Sequence, residues 1–204
     1  MGAMEDAESK LLDLLVRRSY IYNPKRPFLL ASGKKSPIYI DCRSTTTFAE
    51  AMPLVGQVFF ARLKHAGGAG IVDAVGGLTL GADPIAAAIA YHSAVVGRPV
   101  SWFSIRKEAK QHGTARWIEG SVEPGARVGV VDDVVTTGAS TVTAVERCRD
   151  YGLTVVAAIV LVDRGESDGR ARIEAALASG GGVFEAIFTR AELDRAWKAA
   201  ASGR

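Results

Sequence analysis

The stretch that decides the fold is RVGVVDDVVTTGAST, residues 127–141. Its apolar run, residues 128–131, is typical of a strand in a parallel sheet that is covered on both faces. Two adjacent carboxylates, Asp132 and Asp133, follow where we expect this strand to end. Because ligands of open α/β sheets bind outside the carboxyl ends of the strands, the two carboxylates indicate a binding site.

Residues 136–141 add hydroxyl groups, the flexible Gly138 and the start of a predicted helix. Free N–H groups at a helix N-terminus and the helix dipole attract anions, so this turn predicts a phosphate cradle. No Lys-Ser or Lys-Thr pair follows the glycine, which excludes a Walker A loop. Carboxylates repel phosphate, so Asp132 and Asp133 suit the hydroxyl groups of the same ligand, a sugar phosphate. The alternative is an ordinary strand, turn and helix with Asp near the helix cap.

The rest of the chain alternates between two hydrophobic periodicities. Helices are predicted over residues 5–18, 47–65, 85–96, 140–150, 169–179 and 191–200. Strands are predicted over residues 38–41, 71–75, 100–105, 128–131, 154–162 and 183–189. This alternation predicts an α/β fold with a mostly parallel central sheet flanked by helices, in a single domain over residues 1–204.

Three further segments bear on the site. Residues 20–27 read as a connector, and residues 28–41 as a hairpin-like unit that covers the sheet edge as a small N-terminal hood, within residues 1–45. Residues 76–84 read as a glycine-rich loop suited to close approach by an anion. Residues 106–120 are rich in charge without apolar periodicity, which indicates either a disordered loop or a lid over a pyrophosphate.

Composition excludes several classes of protein. The chain has 204 residues, 48% hydrophobic and 23% charged, with a net charge of +3. This charge is too small to indicate nucleic-acid binding, and no apolar run is long enough to span a membrane. Cys42 and Cys148 lack the spacing of a disulfide framework or a zinc site. With no signal peptide recognisable, we expect a cytoplasmic protein.

Residues 130–140 resemble the phosphoribosyl-pyrophosphate (PRPP) motif of the type I phosphoribosyltransferases. Three other segments resemble the orotate phosphoribosyltransferases: the hood at residues 32–41, the catalytic loop at residues 106–113, and the strand end Asp163-Arg164. The resemblance implies the type I phosphoribosyltransferase fold and a pentosyltransferase of pyrimidine (UMP) biosynthesis. Such an enzyme converts orotate and PRPP to orotidine 5′-monophosphate and pyrophosphate.

The resemblance also implies roles for individual residues. The catalytic residues would be Lys110, His112, Asp132 and Asp133. PRPP would be bound by Arg106, Lys107, Lys110, His112, Asp132, Asp133, Val134, Val135, Thr136, Thr137, Gly138, Ala139 and Ser140. Orotate would be bound by Thr136, Arg164, Tyr39 and Ile40. Mg²⁺ would be held mainly by PRPP rather than by the protein, in a homodimer whose catalytic loop is shared across the interface.

This chain departs from the family pattern at two places. Ala31 stands where many members carry Lys, and residues 80–83 lack a Tyr-Lys pair common in the glycine-rich loop. Two alternatives remain open, a purine-base phosphoribosyltransferase and a non-catalytic sensor of PRPP or nucleotides. Arg164 at a strand end favours orotate, because a guanidinium suits its carboxylate, although a salt bridge with Asp163 is the simpler interpretation. Intact Lys110 and His112 favour catalysis.

Overall fold

Helices and strands alternate along the chain as predicted. The computed structural model describes residues 2–29, 35–66, 72–108 and 117–202. The helices in these ranges are α1 (Ala3–Arg18), α2 (Arg43–Thr46), α3 (Met52–Ala66), α4 (Ala82–Val95), α5 (Ala139–Asp150), α6 (Gly169–Ala178) and α7 (Arg190–Ser202). The strands are β1 (Tyr20–Tyr22), β2 (Phe28–Leu29), β3 (Lys35–Ser36), β4 (Ile38–Ile40), β5 (Ala74–Leu78), β6 (Ser101–Ile105), β7 (Ile118–Gly120), β8 (Arg127–Val135), β9 (Thr154–Asp163) and β10 (Val183–Thr189).

Six strands form the central sheet, in the order β10-β9-β8-β5-β6-β7. All neighbours in it are parallel except β7, which runs antiparallel to β6 at one edge. The pairing of β8 with β9 extends from Arg127 opposite Thr154 to Val135 opposite Asp163. The predicted mostly parallel α/β sheet is therefore confirmed, and β8 lies near its centre.

Helices cover both faces of this sheet and bury a hydrophobic core on each. One core takes side chains from α1, α3, α4 and α7, such as Leu11, Phe59, Ile89 and Leu193. The other core takes side chains from α5 and α6, such as Val145 and Ile173. Each large apolar side chain that is fully buried contributes about 1.5–3 kcal/mol of transfer free energy. No helix in the described ranges has the length and apolar character needed to cross a membrane.

The glycine-rich loop predicted over residues 76–84 is in part a strand. Gly76 and Gly77 belong to β5, in the middle of the sheet. A Cβ at Gly76 would lie 2.3 Å from the Phe103 carbonyl oxygen on β6, and one at Gly77 would lie 2.2 Å from the Val131 oxygen on β8. These glycines therefore allow neighbouring strands to pack closely. The sequence alone does not distinguish such a glycine from one that allows a turn.

The prediction of one long helix over residues 47–65 was wrong about where the helix starts. The structure has the short α2, a turn, and then α3 from Met52. Pro53 explains this start, because its ring would clash with the carbonyl of residue 49 in a continuous helix, whereas it fits the first turn.

The N-terminal region also differs from the predicted hairpin. β4 pairs with β1, which lies in the segment predicted to be a connector, and β2 pairs with β3. The tight turn of the predicted hairpin spans residues 31–37, and its first four residues, with Ala31, lie outside the described residues. Residues 118–120, predicted to be loop, form the edge strand β7.

Candidate active site

The two adjacent carboxylates lie inside the last part of β8. The prediction that the strand ends before Asp132 was wrong, because Asp132 pairs in register with Val160 and the ladder continues to Val135. Asp132 is only 6% exposed. Its Oδ1 accepts a hydrogen bond from the Asp133 N–H at 3.0 Å, and its Oδ2 accepts one from the Thr141 hydroxyl at 3.1 Å.

Burial and the neighbouring charge of Asp133 raise the pKa of Asp132 to about 7. Burial also raises the pKa of Asp133, although hydrogen bonding and the charge of Arg43 oppose this shift. Desolvation is costly because a buried carboxylate loses its hydration, and no ion pair with Asp132 or Asp133 forms among the described residues. The pair is therefore poorly compensated in the free protein, as expected of groups that are arranged for a ligand rather than for stability.

A tight turn connects the end of β8 to α5. Gly138 has a φ of +75° and precedes the first helical residue, and no side chain of the described residues caps this helix. A Cβ at Gly138 would lie 2.6 Å from the Gly169 carbonyl oxygen at the start of α6. Only glycine meets both the backbone angle and the close approach. The turn thus presents the uncapped N-terminus of a twelve-residue helix to an anion.

The turn between β5 and α4 approaches the same carboxylates from the next strand. A Cβ on Gly81 would lie 2.7 Å from Asp133 Oδ1 and 2.9 Å from Asp132 Oδ1. The peptide bond between Thr79 and Leu80 in this turn is cis. The ends of β5 and β8 therefore form one continuous surface, as neighbouring parallel strands do in binding sites of this class.

A cavity of about 230 Å³ lies over this surface. Seven of the residues predicted for the site line it: Tyr39, Ile40, Lys107, Asp132, Asp133, Val134 and Ser140. Thr79, Leu80 and Lys107 also line a neighbouring depression that holds Arg106. The structure thus brings together residues from four separate segments of the sequence.

Sequence reasoning missed two charged residues on the cavity wall, Asp41 and Arg43. Their side chains form an ion pair at 3.3 Å. A hydrogen bond to Asp41 and its charge raise the pKa of Arg43. The available signal was the position of Asp41 at the end of the predicted strand at residues 38–41.

Comparison with known proteins gives the family. No protein-family model matches the chain. The curated orotate phosphoribosyltransferase of Aquifex aeolicus is 46% identical over 165 residues, which are 81% of this chain and 87% of the relative. This chain belongs to the orotate phosphoribosyltransferase family.

Solved structures agree with the family and with its fold. The orotate phosphoribosyltransferase of Mycobacterium tuberculosis in complex with Fe(III) dicitrate matches with a TM-score of 0.75 at 35% identity, covering 92% of this chain and 98% of that chain. The same enzyme in complex with PRPP matches with a TM-score of 0.72 at 32% identity, covering 92% and 99%. The predicted type I phosphoribosyltransferase fold is thereby confirmed.

The family's basic loop is only partly described. Arg106 and Lys107 follow β6, and Arg106 Nε lies 3.3 Å from Glu119 Oε1. Lys110 and His112 lie outside the described residues, so their roles stay predictions. Leu80, in the segment of residues 80–83 that lacks the Tyr-Lys pair, is 67% exposed.

Arg164, the residue predicted to hold the orotate carboxylate, is buried and already ion-paired. Its Nη2 and Nε lie 2.8 and 3.2 Å from Glu166 Oε1, and Arg190 Nη1 donates to the same oxygen at 2.8 Å. The alternative partner considered for Arg164, Asp163, instead accepts from the Gly165 N–H at 2.9 Å. Arg164 follows β9 directly, so it stands at the correct edge of the sheet, although it is not among the described residues that line the cavity.

Proposed function

We propose that this chain transfers the ribose 5-phosphate group of PRPP to orotate in a Mg²⁺-dependent reaction of pyrimidine (UMP) biosynthesis. The products are orotidine 5′-monophosphate and pyrophosphate. The observation that carries the proposal is the buried pair Asp132 and Asp133 beside the uncapped N-terminus of α5, in a chain of this family. The M. tuberculosis relative in complex with PRPP supports the choice of sugar donor.

The geometry suggests how PRPP lies in the site. Its 5-phosphate would bind the backbone N–H groups of residues 137–141, because these groups and the helix dipole favour an anion. Its ribose hydroxyls would donate hydrogen bonds to Asp132 and Asp133, which stabilises the carboxylates in their ionised form. Its pyrophosphate would then extend toward Gly81 and Lys107, which face the same cavity.

The donors near this position fit a magnesium ion that arrives with the substrate. Mg²⁺ binds oxygen ligands, keeps several waters, and is commonly held by one or two carboxylates together with substrate phosphates. The described residues contain no group of three or more His, Cys, Asp or Glu that could hold a metal alone, whereas Asp132 and Asp133 present carboxylate oxygens to the cavity. When bound, the ion would neutralise charge on the departing pyrophosphate.

The reaction breaks the bond between C1 of ribose and the pyrophosphate oxygen and forms a bond from the same carbon to a ring nitrogen of orotate. Because the transition state resembles an oxocarbenium ion, the protein must stabilise the leaving group and position both substrates. Lys107 and Arg106, with Lys110 and His112, would supply positive charge to the pyrophosphate. Closing the site would also exclude water, which attacks the same carbon.

We expect no covalent intermediate, and the one cysteine among the described residues of the site does not supply a nucleophile. Cys42 lines the cavity but is buried. Burial, with Asp133 and Asp41 nearby, raises the pKa of its thiol well above the ordinary value. Since the thiolate is the nucleophilic form, this cysteine is inert at neutral pH.

Orotate would lie between the hood and the end of β9. Tyr39 and Ile40 of β4 line the cavity from the hood side. Arg164 would contact the orotate carboxylate and Thr136 its ring, as the family resemblance implies. Since the guanidinium of Arg164 already faces Glu166, orotate would share it rather than replace that partner.

We further propose that the 204 residues form a single domain, with residues 1–45 as its hood, and that the enzyme acts as a cytoplasmic homodimer. The apolar patch on α3 and α4 supports association, since Tyr91 is 74% exposed and borders a largely apolar groove with Met52 and Val95. Cys42 and Cys148 are both free and buried, as is usual where thiols stay reduced.

The test is the absorbance change of orotate on mixing the enzyme with PRPP and Mg²⁺. We expect consumption that requires both, and a loss of rate on the order of 10²–10³-fold in Lys110→Ala. Lys10→Ala is the matched control, because Lys10 is exposed and pairs only with Asp6 on α1 among the described residues. Consumption of a purine base in place of orotate would overturn the base assignment. PRPP binding without consumption of any base would indicate a sensor.

A further inference from the structure

Arg147 connects the helix of the phosphate cradle to both sides of the basic loop. It lies on α5, two turns after the cradle at residues 136–141. Its Nη1 donates to the carbonyl oxygen of Arg106, and its Nη2 donates to that of Lys107 at 3.2 Å. Its guanidinium carbon lies 3.8 Å from the centre of the Trp117 ring. One side chain thus contacts the chain where it leaves β6 and where it returns to β7.

The chemistry of these contacts is specific to arginine. A guanidinium is planar, so it can donate to two carbonyls with its edge while an aromatic ring lies on its face. The backbone closes the same junction, because the Arg106 N–H donates to the Trp117 carbonyl at 2.9 Å. Lysine at this position would offer a point charge without the fork or the flat face. The contacts therefore fix the backbone of Arg106 and Lys107 relative to α5.

This arrangement matters because α5 would contact PRPP at its N-terminus and, through Arg147, would position the basic residues at the other end of PRPP. The 5-phosphate would bind at the N-terminus of α5, and the pyrophosphate would approach Lys107, which lines the cavity. From Ala139 to Arg147 the helix rises by about 12 Å, at 1.5 Å per residue, as one rigid element. A single helix thus sets the distance between the two anion-binding regions.

We propose that Arg147 is a positioning residue that holds Arg106 and Lys107 at the correct distance from the 5-phosphate cradle, so that both phosphate ends of PRPP are recognised together. The inference rests on the proposed function, since it concerns how the spacing of two anion-binding regions in that same site matches the length of PRPP. Arg147 is not among the described residues that line the cavity, so it would act through Lys107 and Arg106, whose backbone it contacts.

The decisive experiment compares two ligands in Arg147→Met. Methionine keeps much of the side-chain length and removes both hydrogen bonds and the charge. We expect the affinity for PRPP to fall about tenfold or more, since small misplacements of a binding group can cost up to about 10²-fold. The affinity for ribose 5-phosphate, which lacks the pyrophosphate, should change by less than about twofold. A merely structural role would weaken both ligands equally.

Two further variants keep the test decisive. Arg149→Met is the matched control on the same helix, because Arg149 contacts Leu177 on α6 instead of the loop. Trp117→Leu removes the aromatic face without altering Arg147, and it should weaken PRPP binding while sparing ribose 5-phosphate.

The outcomes separate this inference from the proposed function. Wild-type protein that neither binds PRPP nor consumes orotate would refute the function. Wild-type protein that does both, with Arg147→Met equal to it in PRPP affinity and in kcat/KM, would refute the positioning role. Equal losses for PRPP and ribose 5-phosphate in Arg147→Met would refute it as well.

Discussion

Replacing Asp132 by Asn should make the free protein more stable at pH 8 while it abolishes activity. Asp132 is buried, and burial together with Asp133 raises its pKa from 3.8 to about 7. A carboxyl whose pKa is higher in the folded than in the unfolded protein costs stability once it ionises. Its contribution is therefore favourable below pH 4, is lost as the pH rises from about 4 to about 7, and is fully lost above that.

The magnitude follows from the shift. Three pKa units at about 1.4 kcal/mol each give an upper bound of about 4 kcal/mol at pH 8. Asparagine keeps the size of the side chain but can accept only one of the two hydrogen bonds that Asp132 accepts, which costs about 1 kcal/mol. We therefore expect Asp132→Asn to gain about 2–3 kcal/mol at pH 8 but less than about 1 kcal/mol at pH 5. For a chain of this length, this corresponds to roughly 4–12 °C in Tm.

The assay is thermal unfolding of wild type and variant in buffers from pH 5 to pH 8.5, without ligand. Asp13→Asn is the control, because Asp13 is exposed on α1 and pairs with Arg17. The difference in Tm should grow with pH for Asp132→Asn and stay flat for the control. A difference that is constant across pH, or a variant less stable than wild type at pH 8, would refute the reasoning that the ionised carboxylate is uncompensated.

Three other substitutions test other parts of the structure. Gly138→Ala should cost about 2–4 kcal/mol in urea unfolding and weaken ribose 5-phosphate binding, because alanine is strained at this backbone angle and its Cβ would contact Gly169. Unchanged binding would contradict the cradle. Glu166→Gln should raise the KM for orotate by about three- to tenfold and leave the KM for PRPP unchanged, since Glu166 orients Arg164. Equal effects on both KM values would contradict that orientation role. Leu161→Ala, at a fully buried position of β9, should cost about 2–5 kcal/mol in urea unfolding with kcat near wild type.

Sequence patterns predicted the layers of this fold better than the local chain path. Continuous apolar runs identify β8 and β9, because these strands are buried on both faces of the sheet. The helices are identified by their 3.6-residue apolar repeat. The same reasoning took Gly76 and Gly77 for a loop, since a glycine that lets two strands approach closely looks identical to one that allows a turn. It also ended β8 at Asp132, because a buried carboxylate in a strand violates the usual pattern.

For the site, the sequence predicted the cradle and its carboxylates but not the ion pairs around them. Asp132, Asp133 and the turn after them form one segment, so their spacing alone reveals a cradle. The pairs Arg43–Asp41 and Arg164–Glu166 each join residues two positions apart, and they form because the chain turns at these places. The pair Arg190–Glu166 joins elements that are distant in the sequence. Such ion pairs depend on how the chain packs, and no periodicity in the sequence predicts them.

The distribution of charge around the cavity gives a reason why this chain can lack the Tyr-Lys pair at residues 80–83. The acidic wall formed by Asp132 and Asp133 suits neutral hydroxyls, and the anions of PRPP must lie on either side of it. On one side, the backbone of the α5 N-terminus would bind the 5-phosphate without a lysine. On the other, Gly81 leaves the backbone accessible, and the positive charge comes from Lys107 and its neighbours. If Arg147 positions Lys107 as we propose, positive charge at the pyrophosphate would depend on that contact more than on residues 80–83.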